Sequence, residues 1–457
     1  MREVARMVAL DCAAITEYGK DQARRAFADT VAVSFPGLKE PVYEKMLAFC
    51  DGKGEGAVPV PGLHHRVDAA VAALAWGTLS HAIDFDDSCP ALGGHPSVVL
   101  LPVVLALAYR QRAGGRDAME AYICGYEATN RVAIGSSVAQ YDRGWHTTTS
   151  IGIMGAAVAA CRLLGLSVEE AEHALGIAAS MAAGLQANFG TMTKPLHPGF
   201  AAANAITAAE LAALSVDASA EAFDSKYSYF KVYGGEYQVY PLERHFIEEG
   251  IIVKPYPSCG SATRPNDLAL QLRGQYGVTA EDIAAMECRI SQVSHNCLRY
   301  VRPRNGTEAR FSLEYCIAQS LIGGPLQLEH FEDAFVQAQV ASEPMSSLIG
   351  RIRRVVPEDL KQGVPFAKEY FEMEVTLRDG RKVHLRAEQP KGFPANPLSE
   401  EELEHKFHGC TAGMLDRVES AQLYRKLRKI DDETDFASLL DRIVTDMSAT
   451  MQKFKNK

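Results

Sequence analysis

The chain has 457 residues, 47% of them hydrophobic, and a formal charge of −10 from 47 Lys and Arg against 57 Asp and Glu. That length exceeds one compact domain and fits two. An acidic balance without a long run of one sign argues against nucleic acid or an anionic membrane as partner; it leaves room for a locally basic pocket that takes an anionic metabolite.

The N-terminal stretch "MREVARMVALDCAAITEYGK" carries charges throughout and has no apolar run followed by a cleavage site, so no signal peptide is expected. The longest apolar run, Val98–Ala108, is broken by Pro102 and is too short to span a bilayer. Ten cysteines are scattered without a C-x-x-C pair, the pattern of buried small hydrophobes in a reduced compartment. A cytoplasmic chain is the expectation.

Residues 1–261 read as an all-helical domain. "AVAALAWGTLSHAI", "SIGIMGAAVAACRLLG" and "FAAANAITAAELAALS" are rich in small helix formers. Ser167 with Glu170 forms a capping-box pattern before "AEHALGIAAS". Residues 262–395 read as a smaller α+β domain. "MECRISQVS" alternates like a strand, and "FEMEVTLRDGRKVHLRAE" is a hairpin turning at Asp379-Gly380, with helical segments between. From 396 to 457 the pattern is helical again, a tail expected to return to the first domain. The fold class is therefore mainly α, with a large helical domain and a smaller inserted α+β domain.

Candidate chemistry also runs in chain order. "SHAIDFDDSCPALGGHPS" places Asp84, Asp86 and Asp87 between His81 and His95. The spacing does not fit a calcium loop. Asp86 and Asp87 read as part of a solvated loop, and Asp84 with His95 as two ends of an active-site loop. In "DRGWHTTTSIG", His146 precedes three threonines and an apolar helix, where it could act on a carboxylate near helix-start N–H groups. "NFGTMTKPLHPGF" reads as an irregular loop between helices, marked by Gly190, Pro195, Pro198 and Gly199, and it carries Thr193 and Lys194. A lysine there supplies a point charge or a titrating group. In "IIVKPYPSCG", two prolines hold Lys254 stiffly, and Cys259 has no histidine partner in sequence. Tyr315 follows Phe311 by one helical turn. No dinucleotide fingerprint, P-loop, nucleophile elbow or H-E-x-x-H is present, so no nucleotide, serine-hydrolase or zincin chemistry is inferred. The remaining Asp, His, Lys and Tyr residues suit acid–base work on a small polyanion.

Taken together, "HAIDFDD", "GHPS", "GWH", "GIAAS…NFGTMTKPLH", "KPYPSC", "ARFSLEY" and "PKGFPANPLSEEELEHKF" resemble the MmgE/PrpD family. That family includes 2-methylcitrate dehydratase, cis-aconitate decarboxylase and iminodisuccinate epimerase. The resemblance implies a homodimer, no metal and no organic cofactor. It places the active site between the two domains, on Asp84, His95, His146, Lys194, Lys254 and Tyr315, with Ser88 where relatives have a small hydroxyl residue. Thr193 and Cys259 join Lys254 and Ser88 as expected substrate contacts. Thr263 stands where relatives often carry histidine. The expected activity is a cofactor-independent lyase, a dehydratase or decarboxylase, on a small di- or tricarboxylate. The alternatives are an epimerase of a dicarboxylate and a non-catalytic carboxylate binder.

Overall fold

The computed structural model describes residues 1–361 and 363–455. The chain builds two hydrophobic cores. The larger draws side chains from Val4 to Val253 and again from Leu398 to Met451; the smaller draws from Tyr256 to Leu385. The last 60 or so residues therefore pack on the first half and not on the segment they follow.

The helical part is assembled around α1 (Glu17–Gly37), α2 (Ala69–Ser80), α3 (Ser97–Gln111), α4 (Gly115–Ala133), α5 (Gly152–Leu164), α6 (Val168–Met181) and α7 (Thr193–Ala213). α7 packs on α2, α5 and α6, and α5 packs on α3 and α4. Their many alanines and glycines set the close spacing. A Cβ on Gly77 of α2 would lie 2.6 Å from the Gly199 Cα of α7, and one on Gly199 would lie 2.4 Å from the Leu74 carbonyl. Only glycine at both positions permits this backbone approach. Ser167 caps α6 through the reciprocal bonds its sequence predicts: the Glu170 N–H donates to Ser167 Oγ at 3.2 Å, and the Ser167 N–H donates to Glu170 Oε2 at 2.7 Å. By length and apolar content residues 147–164 could cross a membrane, but 83% of that window is buried inside this core.

The α+β part contains α8 (Thr263–Tyr276) and α9 (Leu313–Gly323) against a four-stranded sheet of order β2-β1-β3-β4. Its strands are β1 (Ile283–Arg289), β2 (Ile352–Val355), β3 (Phe371–Leu377) and β4 (Lys382–Ala387). β3 and β4 form the hairpin around Asp379-Gly380, in register from Phe371↔Ala387 to Thr376↔Lys382. β3 alternates buried and half-buried residues along its length, as a sheet with one face on a core must. Strand β1 ends at Arg289, and "SQVS" continues into a short helix, Gln292–Cys297. The parallel strand β2 is too short and too charged ("IRRV") to show in the alternation pattern.

In the tail, α10 (Glu400–Thr411) packs against α1. Its Lys406 reaches through to pair with Asp29 at 2.6 Å and to donate to the Phe85 carbonyl at 2.8 Å. The C-terminal segment thereby supports the aspartate-rich loop from behind.

Candidate active site

The aspartate-rich loop leaves the C-terminus of α2 and is buried. Asp84 is 4% exposed, and Asp86 and Asp87 are fully buried. The solvated-loop expectation for Asp86 and Asp87 is thus overturned, because each finds a polar partner inside. Asp87 accepts from Ser97 Oγ at 2.5 Å; burial, with Asp29 nearby, pushes its carboxyl well up, so it is held as a neutral acid. The loop is pinned to the strand-like segment 251–254 by reciprocal bonds between Ser88 and Ile252, at 2.8 and 2.9 Å. This pairing brings Lys254 beneath Asp84. Asp84 itself has φ of 54°, a left-handed conformation that Asp tolerates better than most residues.

Two lysines meet at Asp84. Lys194 Nζ donates to its Oδ2 at 2.8 Å; Lys254 Nζ donates to its Oδ1 at 2.6 Å and to its backbone carbonyl at 2.7 Å. Burial alone would raise the Asp84 carboxyl. The two ammoniums overcome it and hold the group far below the usual carboxylate range. Burial likewise pulls Lys254 down, and Asp84 and Asp86 more than restore it, so it remains charged.

The histidine roles follow from donor counting. Lys194 Nζ also lies 3.0 Å from His81 Nε2, and His81 Nδ1 lies 2.9 Å from Asp86 Oδ1. An ammonium has only donors, so His81 Nε2 accepts, and Nδ1–H donates to Asp86. Burial drives the His81 pKa down to about 4, which keeps this neutral tautomer. His95 Nδ1 lies 2.9 Å from both the Asp87 carbonyl and Asp86 Oδ2, with Nε2 3.6 Å from Asp84. Asp86 is therefore the carboxylate that orients imidazoles here. His146 and His197 face each other Nδ1 to Nδ1 at 3.1 Å. One accepts and the other donates, so this pair is neutral. Burial and the nearby Lys194 hold His146 well below its ordinary pKa, and burial takes His197 to about 4.

These groups face a cavity between the two cores with about 750 Å³ free of protein atoms, part of it open to solvent. Ser88, His95, His146 and Lys194 line it from the helical side, and Cys259, Glu369 and Phe311 from the α+β side. Lys194 has three N–H donors and spends two on Asp84 and His81. Its ammonium sits 5.4 and 5.2 Å from the centres of the Phe189 and Phe311 rings, both cavity walls. Its third N–H is the donor left for a ligand.

Not every expected contact reaches the cavity. Residues 193–213 are helix, not loop: Pro195 falls in the first turn of α7, where a missing N–H is harmless. Lys194 faces inward, so Thr193, one position back and about 100° round the helix, lies outside the lining; its N–H donates to Thr191 Oγ1 at 3.2 Å. Lys254 lies behind Asp84 and holds it. Tyr315 is fully buried in the smaller core, and its hydroxyl donates to the His330 carbonyl at 2.5 Å. The tyrosine that lines the cavity is Tyr141, half-buried, with its hydroxyl 2.8 Å from Cys297 Sγ. Cys259 does line the cavity, and its partner is a thiol: a hydrogen bond from Cys297 holds Cys259 below the ordinary thiol pKa despite burial. Tyr315→Phe is accordingly expected to leave kcat within about twofold and to cost about 1 kcal/mol of stability for one lost hydrogen bond, read by steady-state rates and urea unfolding.

His81, Asp84, Asp86 and His95 each bring a ligand-type atom within 4.8 Å of the others. The Asp84 oxygens and His81 Nε2 are already committed. Both Asp84 oxygens accept from ammoniums, and His81 Nε2 accepts from Lys194. A divalent cation would have to displace two lysines, so the cluster is an ion-pair network by construction.

Residues 3–241 match the family model of the MmgE/PrpD N-terminal domain, and residues 256–430 that of the MmgE/PrpD C-terminal domain. The chain belongs to the MmgE/PrpD family. It is similar to a cis-aconitate decarboxylase of Mus musculus, 28% identical over 443 residues that cover 93% of this chain and 88% of the mouse protein. The cis-aconitate decarboxylase of Homo sapiens is 29% identical over 395 residues, covering 82% of this chain and 80% of that one. That of Aspergillus terreus is 24% identical over 450 residues, covering 92% and 91%.

Proposed function

We propose that this MmgE/PrpD protein is a cofactor-independent carboxy-lyase for an unsaturated tricarboxylate of the cis-aconitate class. The observation that carries the reading is the spare donor of Lys194 in a cavity that His95 and the neutral His146 also line. Asp84 and Asp86 balance Lys194 and Lys254, and Asp87 is neutral, so the empty cluster has no net charge while its histidines are unprotonated. A bound trianion makes the cavity negative and draws a proton onto a wall histidine. His146 is suited to take it, since Nδ1 is engaged with His197 and Nε2 has no partner among the described residues.

In the proposed step the C–CO₂⁻ bond breaks, CO₂ leaves, and the electron pair spreads through the double bond onto a retained carboxylate. Lys194 holds that carboxylate and stabilises its growing charge. The protonated His146 then gives its proton to carbon, which closes the balance; solvent reprotonates it. The test is incubation with cis-aconitate, citrate, 2-methylcitrate and iminodisuccinate in deuterated buffer, followed by proton NMR. Loss of CO₂ from cis-aconitate with one deuterium in the product is expected. Water loss from 2-methylcitrate or citrate without CO₂ would make it a dehydratase instead. Deuterium entering recovered iminodisuccinate without net loss would make it an epimerase.

A further inference from the structure

The α+β wall of the cavity holds an acid that the proposed step does not use. Glu369 is 3% exposed and lines the cavity. Its Oε2 accepts from Ser294 Oγ at 2.9 Å and lies 3.8 Å from an Arg264 nitrogen. Its Oε1 is buried with no hydrogen-bond partner. Buried carboxyl oxygens are mostly hydrogen-bonded, so one left open on a cavity wall is a place for a ligand or water to complete. Ser294 Oγ is also 3.0 Å from Ser261 Oγ, in the turn that leads into α8. Ser294 has one proton for these two neighbours, so Ser261 donates to Ser294 while Ser294 donates to Glu369 Oε2, and Oε1 is the atom of the group left facing a ligand.

We propose that Glu369, with Ser261 and Ser294, forms a second carboxylate subsite that binds the ligand's end remote from Lys194. Burial pushes the Glu369 carboxyl up, beyond what Arg264 and Ser294 pull back. In that protonated form Glu369 is a donor, and Oε1 is the atom that can present the proton to a carboxylate. Two donor sets on opposite walls then span a ligand with carboxylates at both ends. A monocarboxylate satisfies only one wall. The groups facing Glu369 from neighbouring elements are Arg264 of α8, Ser291 and Cys297 around the Gln292–Cys297 helix, and Tyr141 of the helical part. Burial raises Tyr141 well above its ordinary value, and the hydrogen bond with Cys259, together with burial, does the same for Cys297.

The subsite rests on the polycarboxylate reading, and its test is separable from that reading. Tricarballylate, a saturated tricarboxylate that cannot follow the proposed step, is titrated calorimetrically into wild type, Glu369→Ala and Glu369→Gln. Cis-aconitate turnover is measured in parallel. The alanine variant is expected to bind tricarballylate about tenfold or more weakly and to raise KM more than it lowers kcat. The glutamine variant keeps an N–H donor and is expected to stay within about threefold of wild type at neutral pH. Wild-type affinity should fall as pH rises and Glu369 ionises, and Glu369→Gln should lack that component. Wild-type-like binding by Glu369→Ala, parallel pH profiles for wild type and Glu369→Gln, or no tricarballylate binding by wild type would each overturn the subsite. Glu369-dependent binding without any turnover would support the subsite while refuting the carboxy-lyase reading.

Discussion

Lys194→Ala is expected to lower kcat/KM for cis-aconitate by about 10³-fold or more, with most of the loss in kcat. The size follows from where the charge sits. Lys194 is 4% exposed and belongs to a cavity wall, so a developing anion meets an ammonium with little water between them. Preorganised donors aimed at growing charge contribute about 10²–10³-fold each when they are neutral hydrogen-bond donors; a desolvated cation belongs at or above the upper end. The substitution also removes the donor that fixes the His81 tautomer, so a neighbouring imidazole is released as well. Lys194→Arg is not expected to rescue. A planar guanidinium cannot point one donor at Asp84, one at His81 and one into the cavity in the ammonium's tripod arrangement. The check is steady-state kinetics with melting curves for both variants. A Lys194→Ala protein that melts normally and turns over within tenfold of wild type would remove Lys194 from the chemistry.

The division into a helical part and a smaller α+β part was legible because both periods are clean. The alanine-rich helices carry the 3.6-residue repeat, and the hairpin around Asp379-Gly380 carries strict alternation. Strand β2 was not legible, since four residues hold too little pattern. In the site, Lys194, Lys254, Asp84, His95 and His146 each stood out locally. Their wiring did not, because it depends on residues far apart in sequence. His81 and Asp86 lie five positions apart across a tight turn and bond each other only because Lys194, more than 100 residues on, blocks the other side of the ring. Asp86 and Asp87 resembled loop aspartates because the stretch shows His81, His95 and Ser97 nearby but not the turn that folds them onto the two carboxylates. Glu369 gave no signal either. It sits in an unremarkable "AKEYFE" stretch, and only tertiary packing brings it against Ser294. One clue was available for His81: it shares the stretch with His95, and two histidines flanking an acidic turn were worth weighing as a pair.

Asp84→Asn is the second change expected to have a large effect, and on stability as well as rate. Asn keeps the size and tolerates the left-handed backbone at φ of 54°, so the loop conformation is not what changes. The charge is. Lys194 and Lys254, 4% and 2% exposed, would lose the carboxylate they share, with Asp86 already committed to His81. Removing one partner of a buried ion pair costs about 3–5 kcal/mol, because the orphaned charge stays desolvated. The expected result is a fall of that size in urea unfolding free energy, together with loss of turnover. The sign with pH separates this from simple repacking. The folded Asp84 pKa is depressed, so its contribution is complete above the unfolded carboxylate value of about 4 and decays as pH falls from there toward the folded value. The folded Lys254 pKa is raised in wild type. Its contribution is complete below the unfolded lysine value of about 10.4 and decays as pH rises through the folded one. In Asp84→Asn that upward shift is lost, and a buried lysine relieves the strain by shedding its proton. The gap between wild type and variant should therefore be widest between about pH 5 and 8 and close toward both extremes. A gap that stays constant from acid through alkaline pH, without closing at either end, would mean that Asp84 stabilises the loop by shape and not by charge.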